Sequence, residues 1–297
     1  MTRGAKLLIL VLCLAVVGLA AWGFSILFKD TGTPMTKGDL LFSLAGKQTL
    51  SWSYGDRTIS FSITDDAWVN REYPSYQIDR NAKKAITDEI NEIHSRKVIE
   101  EPGDLAAFGL AQPRCTIVSD GITIAIGDEI PMGNQVYLSM GDGKVHLVNG
   151  TILTPFTRSL EEMVTLESVP DLSGATAIQV TTQEENFTLV NGSEGWYLDA
   201  EETSVNQNIA TGLFAHIKAL DWLSCADCTT PDLAEYGLDT PAAIYEITYE
   251  GGSYTVLLGD STEEGVYAMV QGGAMVYRMD ATAGNAMIAM NLKDLTQ

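Results

Sequence analysis

Two short stretches, EEPGDLAAFGLAQP at residues 100–113 and CTTPDLAEYGLDTP at residues 228–241, decide how this chain folds. Aligned at an offset of 128 residues, both contain Asp-Leu-Ala, then Gly-Leu, then a proline, and Phe108 stands opposite Tyr236. Glycine tolerates a positive φ and proline cannot continue a helix, so each stretch predicts the same tight turn. Similarity at a fixed offset indicates an internal repeat, and a repeat determines every later assignment of elements.

The similarity continues on both sides of the turn. Trp68 aligns with Trp196 at the same offset, and TIAIGD at 123–128 resembles TVLLGD at 255–260. Upstream, two segments each begin with a residue of helix N-cap type and continue with apolar residues at helical spacing. These are Asp79 with Ala82, Ile86, Ile90 and Ile93, and Asn206 with Ile209, Leu213, Ile217 and Leu220. The chain is therefore predicted to be a duplication of one unit.

The two predicted repeats, 45–165 and 166–297, show the same succession of elements. Two alternating strands lead to the tryptophan, one amphipathic helix follows, and the Gly-Leu turn precedes two hairpins. Short helical segments at 153–164 and 283–295 are predicted to close the two units. The hairpins turn at glycine-containing dipeptides such as Asp120-Gly121, which suits tight β-turns. The predicted fold class is α+β, with two tandem units of mainly antiparallel sheet, one main helix in each, and one transmembrane helix before them.

Residues 7–28, LLILVLCLAVVGLAAWGFSILF, are an uncharged run of 22 residues. As a helix this run would be about 33 Å long, which matches the hydrocarbon core of a bilayer. Arg3 and Lys6 precede it, so the positive-inside rule places residues 1–6 in the cytoplasm. We predict a single-pass anchor in the cell membrane at 7–28, a juxtamembrane linker at 29–44, and an extracytoplasmic remainder.

Two alternatives to an anchor exist for the N-terminal segment. A cleaved signal peptide has a shorter apolar core, and Gly18 and Ala20 would suit a cut, but the apolar sequence continues to Phe28. A lipoprotein would be modified at Cys13, but Leu12 precedes it where a small residue is expected. The uncleaved anchor is therefore the preferred interpretation, and cleavage stays open.

The chain is strongly acidic, with a formal net charge of −21 at pH 7. Such a surface repels nucleic acid and anionic lipid, so neither is a predicted partner. It would attract cations or basic peptides, although solubility alone also accounts for the charge. The predicted membrane contact is therefore segment 7–28 and not the charged surface.

Cys225 and Cys228 form the only Cys-x-x-Cys pair in the sequence. A redox-active pair needs a thiolate stabilised at a helix N-terminus, whereas this pair follows the C-terminal end of the predicted helix. The first repeat has Lys97 and Glu100 near the corresponding positions, so the repeated unit does not require cysteine there. We predict a structural role, either as a local disulfide outside the membrane or as free structural thiols. Redox catalysis and metal binding are the alternatives.

No catalytic, cofactor-binding or metal-binding residues are predicted. The histidines, His94, His146 and His216, are scattered over both repeats, whereas zinc sites need ligands at short spacing. The stretch LLGDST resembles the start of some lipase motifs, but the first repeat has Glu129 where Ser261 stands. No histidine follows Ser261, so a hydrolase triad would lack its usual order.

The repeated motifs also carry a family resemblance. The tryptophan strand, the helix, FGLAQP and YGLDTP, IGD and LGD, and VYLSM and VYAMV together resemble the bacterial family catalogued as domain of unknown function 4340. The resemblance covers most of residues 40–282, once in each repeat. It implies an extracytoplasmic, often membrane-anchored protein with no established catalytic residues. Some members are similar to proteins encoded near ATP-binding-cassette transporters, so the resemblance implies an accessory role at an envelope complex.

These observations favour a non-enzymatic, membrane-anchored interaction module, an accessory subunit of an envelope or ABC-transporter-type complex with a protein partner. Such a module is expected to expose an apolar or aromatic patch between the two repeats, which are joined around residues 155–173. The alternative is an envelope hydrolase or another enzyme acting on wall polymers, which requires a pocket with convergent polar groups. A third hypothesis is a purely structural scaffold subunit.

Overall fold

A computed structural model describes residues 38–131, 133–198, 203–229 and 231–297. The first half contains strands β1 (Leu40–Ser43), β2 (Thr49–Tyr54), β3 (Arg57–Thr64), β4 (Ala67–Asn70), β5 (Glu92–His94), β6 (Lys97–Ile99), β7 (Cys115–Ser119), β8 (Ile122–Ile130), β9 (Gln135–Ser139) and β10 (Val145–Asn149). Eight of these strands form an antiparallel sheet in the order β4-β3-β2-β7-β8-β9-β10-β6, and β1 pairs with β5 in a separate two-stranded ribbon.

The second half contains strands β11 (Ala177–Thr182), β12 (Asn186–Gly192), β13 (Gly195–Leu198), β14 (Thr203–Ser204), β15 (Ser224–Asp227), β16 (Ala243–Tyr249), β17 (Gly252–Thr262), β18 (Gly265–Val270) and β19 (Val276–Met279). They form one nine-stranded sheet in the order β14-β13-β12-β11-β16-β17-β18-β19-β15. The antiparallel pairings and the few helices bear out the predicted α+β architecture at this level.

Of the α-helices in the described residues, two lie between strands in sequence and two follow β19. They are α1 (Arg80–Ile90), α2 (Gln207–Lys218), α3 (Ala281–Ile288) and α4 (Leu292–Thr296), with 3-10 helices at Leu105–Phe108, Gly150–Thr157 and Leu233–Tyr236. The side chain of Asp79 accepts hydrogen bonds from the first turn of α1, and that of Asn206 does the same for α2. Both helices therefore begin where the predicted N-cap residues place them.

The two main helices bury one apolar face each. Ala82, Ile86 and Ile90 are buried on α1, and Ala210, Leu213 and Ile217 are buried on α2. Strand alternation directs further apolar side chains to the same interior, including Leu50 and Trp52 on β2 and Ile178 and Val180 on β11. All of these residues belong to one contiguous apolar core that extends through both sheets.

The repeated Gly-Leu turns lie against irregular points in the sheets. Gly109 and Gly237 follow the short 3-10 helices and have left-handed φ values of 68° and 65°. The register of β8 shifts around Gly127, and that of β17 shifts around Gly259. A Cβ atom on Gly127 would lie 2.1 Å from the Phe108 carbonyl oxygen, and one on Gly259 would lie 2.1 Å from the Tyr236 carbonyl oxygen. The turn motif and the Gly-Asp motif recur together because each turn packs on its bulge.

Three local predictions need correction. Residues 40–43, assigned to the juxtamembrane linker 29–44, form β1, and Phe42 is buried in the core. The segment that closes the first sheet is a 3-10 helix at Gly150–Thr157, because Pro155 within it disfavours a longer α-helix. Cys225 lies on β15 at a sheet edge, so the cysteine pair is displaced from the end of α2 by the intervening residues.

None of the helices in the described part of the chain is long and apolar enough to cross a bilayer. The predicted anchor at 7–28, the cytoplasmic segment 1–6 and Cys13 lie outside the described residues.

Candidate binding surfaces

The two sheets meet at a junction built from three segments: residues 71–77 after β4, residues 160–167 after the first sheet, and residues 274–277 before and in β19. The connecting segment pairs with the chain ahead of α1, since Ile78 and Val164 form an antiparallel bridge. The Asp79 N–H also donates to the Met163 carbonyl oxygen at 2.7 Å. The connection between the sheets is therefore fixed to the first sheet by main-chain hydrogen bonds.

Two half-buried tyrosines form the aromatic part of this junction. The rings of Tyr73 and Tyr76 stack with centroids 6.1 Å apart and planes inclined by 28°. Buried Asn70 accepts hydrogen bonds from the N–H groups of Glu72 and Tyr73, which fixes the turn that carries the first ring. The Tyr76 hydroxyl donates to the Ala274 carbonyl oxygen of the second sheet at 3.3 Å. The half-buried aromatic pair thus lies where the first half contacts the turn before β19 in the second half.

Two small cavities flank the tyrosine pair, and residues of both halves line each of them. One of about 230 Å³ lies beside Tyr73 and is lined by Arg57, Leu160 and Glu161 of the first half and by Thr229 of the second. The other, of about 290 Å³, lies beside Tyr76. The junction is therefore recessed on both sides of the rings.

The second cavity is lined by polar and aromatic groups, including Glu167 and Tyr277. The Tyr277 hydroxyl donates to a Glu167 carboxylate oxygen at 3.3 Å. The Tyr277 ring stacks on buried Trp222 with centroids 4.5 Å apart and planes inclined by 11°. Burial, followed by the nearby Glu167 carboxylate, raises the pKa of the Tyr277 phenol well above its ordinary value. This phenol stays protonated at neutral pH and acts as a hydrogen-bond donor.

Cys225 and Cys228 are free thiols in the structure, and both are buried. Cys225 lies opposite Tyr277 in the pairing of β15 with β19, and Cys228 Sγ lies 3.9 Å from a Glu161 carboxylate oxygen. A hydrogen bond with Cys225, followed by burial, raises the pKa of the Cys228 thiol far above its ordinary value. Because the thiolate is the nucleophile, this arrangement suits a packing role. A disulfide between the two residues stays a prediction.

The remaining residues considered from the sequence lie at separate places. His146 is buried, with Nε2 at 3.0 Å from an Asp142 carboxylate oxygen, and His94 Nδ1 lies 2.8 Å from the Gly38 carbonyl oxygen. Among the described residues, no three or more His, Cys, Asp or Glu side chains are grouped as a metal site would require. Ser261 lies within β17 opposite Val266, where the fold provides a bulged strand instead of a strand-to-helix turn for a nucleophile.

A larger cavity, of about 780 Å³, lies at the far end of the first sheet. We call it the Trp68 cavity. It is lined by the β1–β2 turn (44–49), by the end of β3 and the following turn (62–66), and by Trp68, Thr87 and Asn91. Asp65 and Asp66 in the second turn have positive φ values of 47° and 72°, as a tight hairpin between β3 and β4 requires.

The comparison with protein families decides the family of this fold. The family model described as Domain of unknown function (DUF4340) matches residues 68–241 and residues 196–296. The chain belongs to this family. The DUF4340 match confirms the family that the motifs indicate, and it includes both junction tyrosines and both cysteines. The turn at 44–49 that closes the Trp68 cavity lies before the DUF4340 match. No curated protein and no solved structure matches the chain.

Sequence reasoning placed the expected surface between the two halves but did not identify its residues. Tyr73 and Tyr76 occur in REYPSYQ (71–77), where Pro74 interrupts the chain between a strand and a helix. Two aromatic residues around a proline in such a loop are a usable signal, because loops tend to carry binding residues. The Trp68 cavity had no local signal, since its walls come from three separate segments.

Proposed function

We propose that this protein is a non-enzymatic interaction module of the cell envelope, anchored by residues 7–28 with residues 38–297 outside the membrane. It would serve as an accessory subunit of an envelope or ABC-transporter-type complex and bind a protein partner at the junction. The observation that carries this proposal is the Tyr73–Tyr76 pair, which is half-exposed, spans both sheets and lies between two recesses. Tyrosine rings with exposed edges supply large contact area at low conformational cost.

The ionisable groups of the junction favour binding over chemistry. The Cys228 thiol and the Tyr277 phenol both have raised pKa values, so each is protonated and a poor nucleophile at neutral pH. Both groups are also buried, so they belong to the packing of the junction and present no reactive group to solvent. The acidic character of the chain adds a preference for a partner with a basic surface.

We also propose that the two sheets are copies of one unit, as the sequence repeat predicts. In support, the corresponding strands follow one another in the same order, β4-β3-β2-β7-β8-β9-β10-β6 in one sheet and β13-β12-β11-β16-β17-β18-β19-β15 in the other. Both Gly-Leu turns have an aspartate cap, a left-handed glycine and the same contact with a bulge. The partner surface then lies between two related units, and the Tyr73–Tyr76 pair belongs to the first.

Affinity purification of the full chain from detergent-solubilised membranes tests the partner proposal. We expect a partner protein to co-purify with the wild-type chain. The double variant Tyr73→Ala, Tyr76→Ala should recover at least about tenfold less of that protein, because a tenfold loss of affinity corresponds to only about 1.4 kcal/mol. Tyr197→Ala is the matched control, because Tyr197 is another half-buried tyrosine but lies on β13. Equal recovery from the double variant, with its fold intact by circular dichroism, would contradict the proposal.

A further inference from the structure

The Trp68 cavity has a counterpart in the second sheet. Ile63 lies opposite Trp68 in the pairing of β3 with β4, and Asn191 lies opposite Trp196 in the pairing of β12 with β13. The Ile63 N–H donates to the Gln48 carbonyl oxygen, and the Asn191 N–H donates to the Thr176 carbonyl oxygen. The strand ends and the preceding turns therefore correspond residue by residue.

The helix beside each tryptophan also corresponds. Asp79 caps α1 and Asn206 caps α2, so Thr87 and Phe214 occupy the same position along their helices. Both side chains are half-buried. Thr87 lines the Trp68 cavity, and Phe214 therefore marks the place that the cavity occupies in the first sheet.

The second sheet fills this place with an aromatic ring of its own. The centroid of the Phe214 ring lies 5.1 Å from that of Trp196, with the planes inclined by 56°. Lys218 Nζ lies 5.7 Å from the centre of the Phe214 ring, so a cation covers the ring from the solvent side. The fold thus accommodates an aromatic ring beside this tryptophan together with a neighbouring cation.

The first sheet leaves the same place open. The Thr87 hydroxyl donates to the carbonyl oxygens of Lys83 and Lys84 on its own helix, so this short side chain turns back along α1. On one side of the cavity, Lys83 Nζ pairs with Asp66 at 2.8 Å and lies 5.9 Å from the centre of the Trp68 ring. Thr87 and Trp68 therefore both line the cavity, and no described aromatic side chain stands at the position of Thr87.

One carboxylate on the rim of the cavity is available to a positively charged ligand. Asp65 is exposed and makes no ion pair with any described residue, and Asp66 is exposed although Lys83 pairs with it. Lys47, another cation on the rim, lies with Nζ 5.9 Å from the centre of the Phe42 ring. The chain as a whole has a net charge of −21, which adds to the attraction for basic segments.

We propose that the Trp68 cavity binds an aromatic side chain of a protein partner, in a segment with lysine or arginine next to that aromatic residue. The partner ring takes the place that Phe214 takes in the second sheet, and its basic neighbour pairs with Asp65. This inference rests on the proposed interaction role and specifies the chemistry of a second contact, whose lining residues differ from those beside the tyrosine pair.

The test uses the full chain in detergent micelles, labelled with 5-fluorotryptophan and observed by fluorine NMR. The probe is the peptide acetyl-Lys-Phe-Lys-amide, and the control peptide is acetyl-Lys-Ala-Lys-amide. The resonance of Trp68, assigned with Trp68→Phe, should shift saturably with the phenylalanine probe and should stay unchanged with the control. An unshifted Trp68 resonance with the phenylalanine probe would overturn the proposal.

Two reciprocal variants sharpen the test. Thr87→Phe fills the cavity as Phe214 does, so it should weaken probe binding at least about tenfold; Thr87→Leu serves if the first variant fails to fold. Phe214→Thr opens the second sheet, so the Trp196 resonance should begin to respond to the probe. If the phenylalanine probe binds a folded Thr87→Phe variant as tightly as it binds the wild-type chain, the proposed site is refuted.

The peptide titration needs no natural partner. It therefore tests the proposed ligand of the Trp68 cavity separately from the proposal that a partner protein binds at the junction. In the purification experiment, Thr87→Phe should reduce partner recovery while leaving the Tyr73–Tyr76 pair intact. Full recovery with this variant would refute the assignment of the cavity to the partner. Unchanged recovery with the double tyrosine variant would instead contradict the proposed function alone.

Discussion

At the residue scale, the repeated glycines are explained by close approach of two backbone segments. Gly127 and Gly259 lie in the bulges. At each glycine a backbone carbonyl oxygen approaches so closely that any Cβ atom at that position would clash with it. Leu110 and Leu238 pack beside them, where a Cβ on either bulge glycine would also lie within 3.1 Å of the leucine Cγ. The Gly-Leu motif and the Gly-Asp motif, which recur in the sequence, are therefore the two sides of one backbone contact.

Gly127→Ala and Gly259→Ala should each destabilise the fold by about 1–3 kcal/mol, because the added methyl overpacks against a backbone oxygen that cannot move alone. Gly212→Ala is the control, since a Cβ there meets nothing within 4 Å in an exposed part of α2. That control should stabilise by about 0.4–1 kcal/mol. Urea unfolding of the full chain in micelles measures all three, and equal midpoints would refute the contact.

Asp120 gives a pH-dependent prediction. Hydrogen bonds from the Thr49 hydroxyl and the Gln48 N–H lower the pKa of this exposed carboxyl. A carboxyl whose pKa is lower in the folded than in the unfolded state stabilises the fold above its unfolded pKa of about 3.9. This contribution is lost as the pH falls through the folded pKa. Asp120→Asn should therefore destabilise most at neutral pH and progressively less below about pH 4. A stability difference that stays constant from neutral to acid pH would contradict this assignment.

At the element scale, α1 and α2 hold the two sheets through one buried face each. Ile86 and Leu213 lie at the centre of those faces, with almost no exposed surface. The N-caps and helical spacing that identify these helices are local features, and local features can be read from sequence. The same holds for the turn at Asp120-Gly121, where both residues have the positive φ that a tight hairpin needs.

Ile86→Ala and Leu213→Ala should each lower the free energy of unfolding by about 2–5 kcal/mol, because each leaves a cavity in a close-packed core. Thr211→Ala is the control, as Thr211 is an exposed residue of α2. Its effect should stay within about 0.5 kcal/mol of wild type. Near-neutral effects of both core substitutions in chemical unfolding would show that these faces are not in the core.

Features formed by segments that are distant in the chain could not be predicted from the sequence. β1 pairs with β5 across more than forty residues, and its short LLFS sequence reads equally well as the end of a linker. Cys225 was expected near a helix end, but the chain passes from α2 into an edge strand whose pairing with β19 is non-local. The walls of the Trp68 cavity come from three separate segments, and its comparison with the Phe214–Trp196 pair needs the three-dimensional structure.

At the scale of the whole molecule, two sheets share one continuous apolar core and meet at an aromatic junction. Residues from both halves of the chain line the recesses there, so the geometry of the recesses depends on both halves being folded. The proposed partner surface is therefore a property of the assembled chain, and the predicted anchor at 7–28 would set which compartment it faces.

The orientation in the membrane is predicted from residues 1–28. Protease added to intact spheroplasts should digest residues 38–297 while sparing a tag fused to the N-terminus, because Arg3 and Lys6 retain that end in the cytoplasm. A mature chain that has lost the tag would establish cleavage near Gly18 or Ala20. Digestion of the tag in intact spheroplasts would reverse the predicted orientation.

Photocrosslinking in intact cells tests the central claim most directly. With p-benzoylphenylalanine placed at Tyr73, irradiation should attach one envelope protein to the chain. The same group at Tyr197, on the far strand β13, should attach none or much less of that protein. An equal pattern of adducts from both positions, or no adduct from Tyr73 in a folded chain, would contradict the junction as the partner-binding surface.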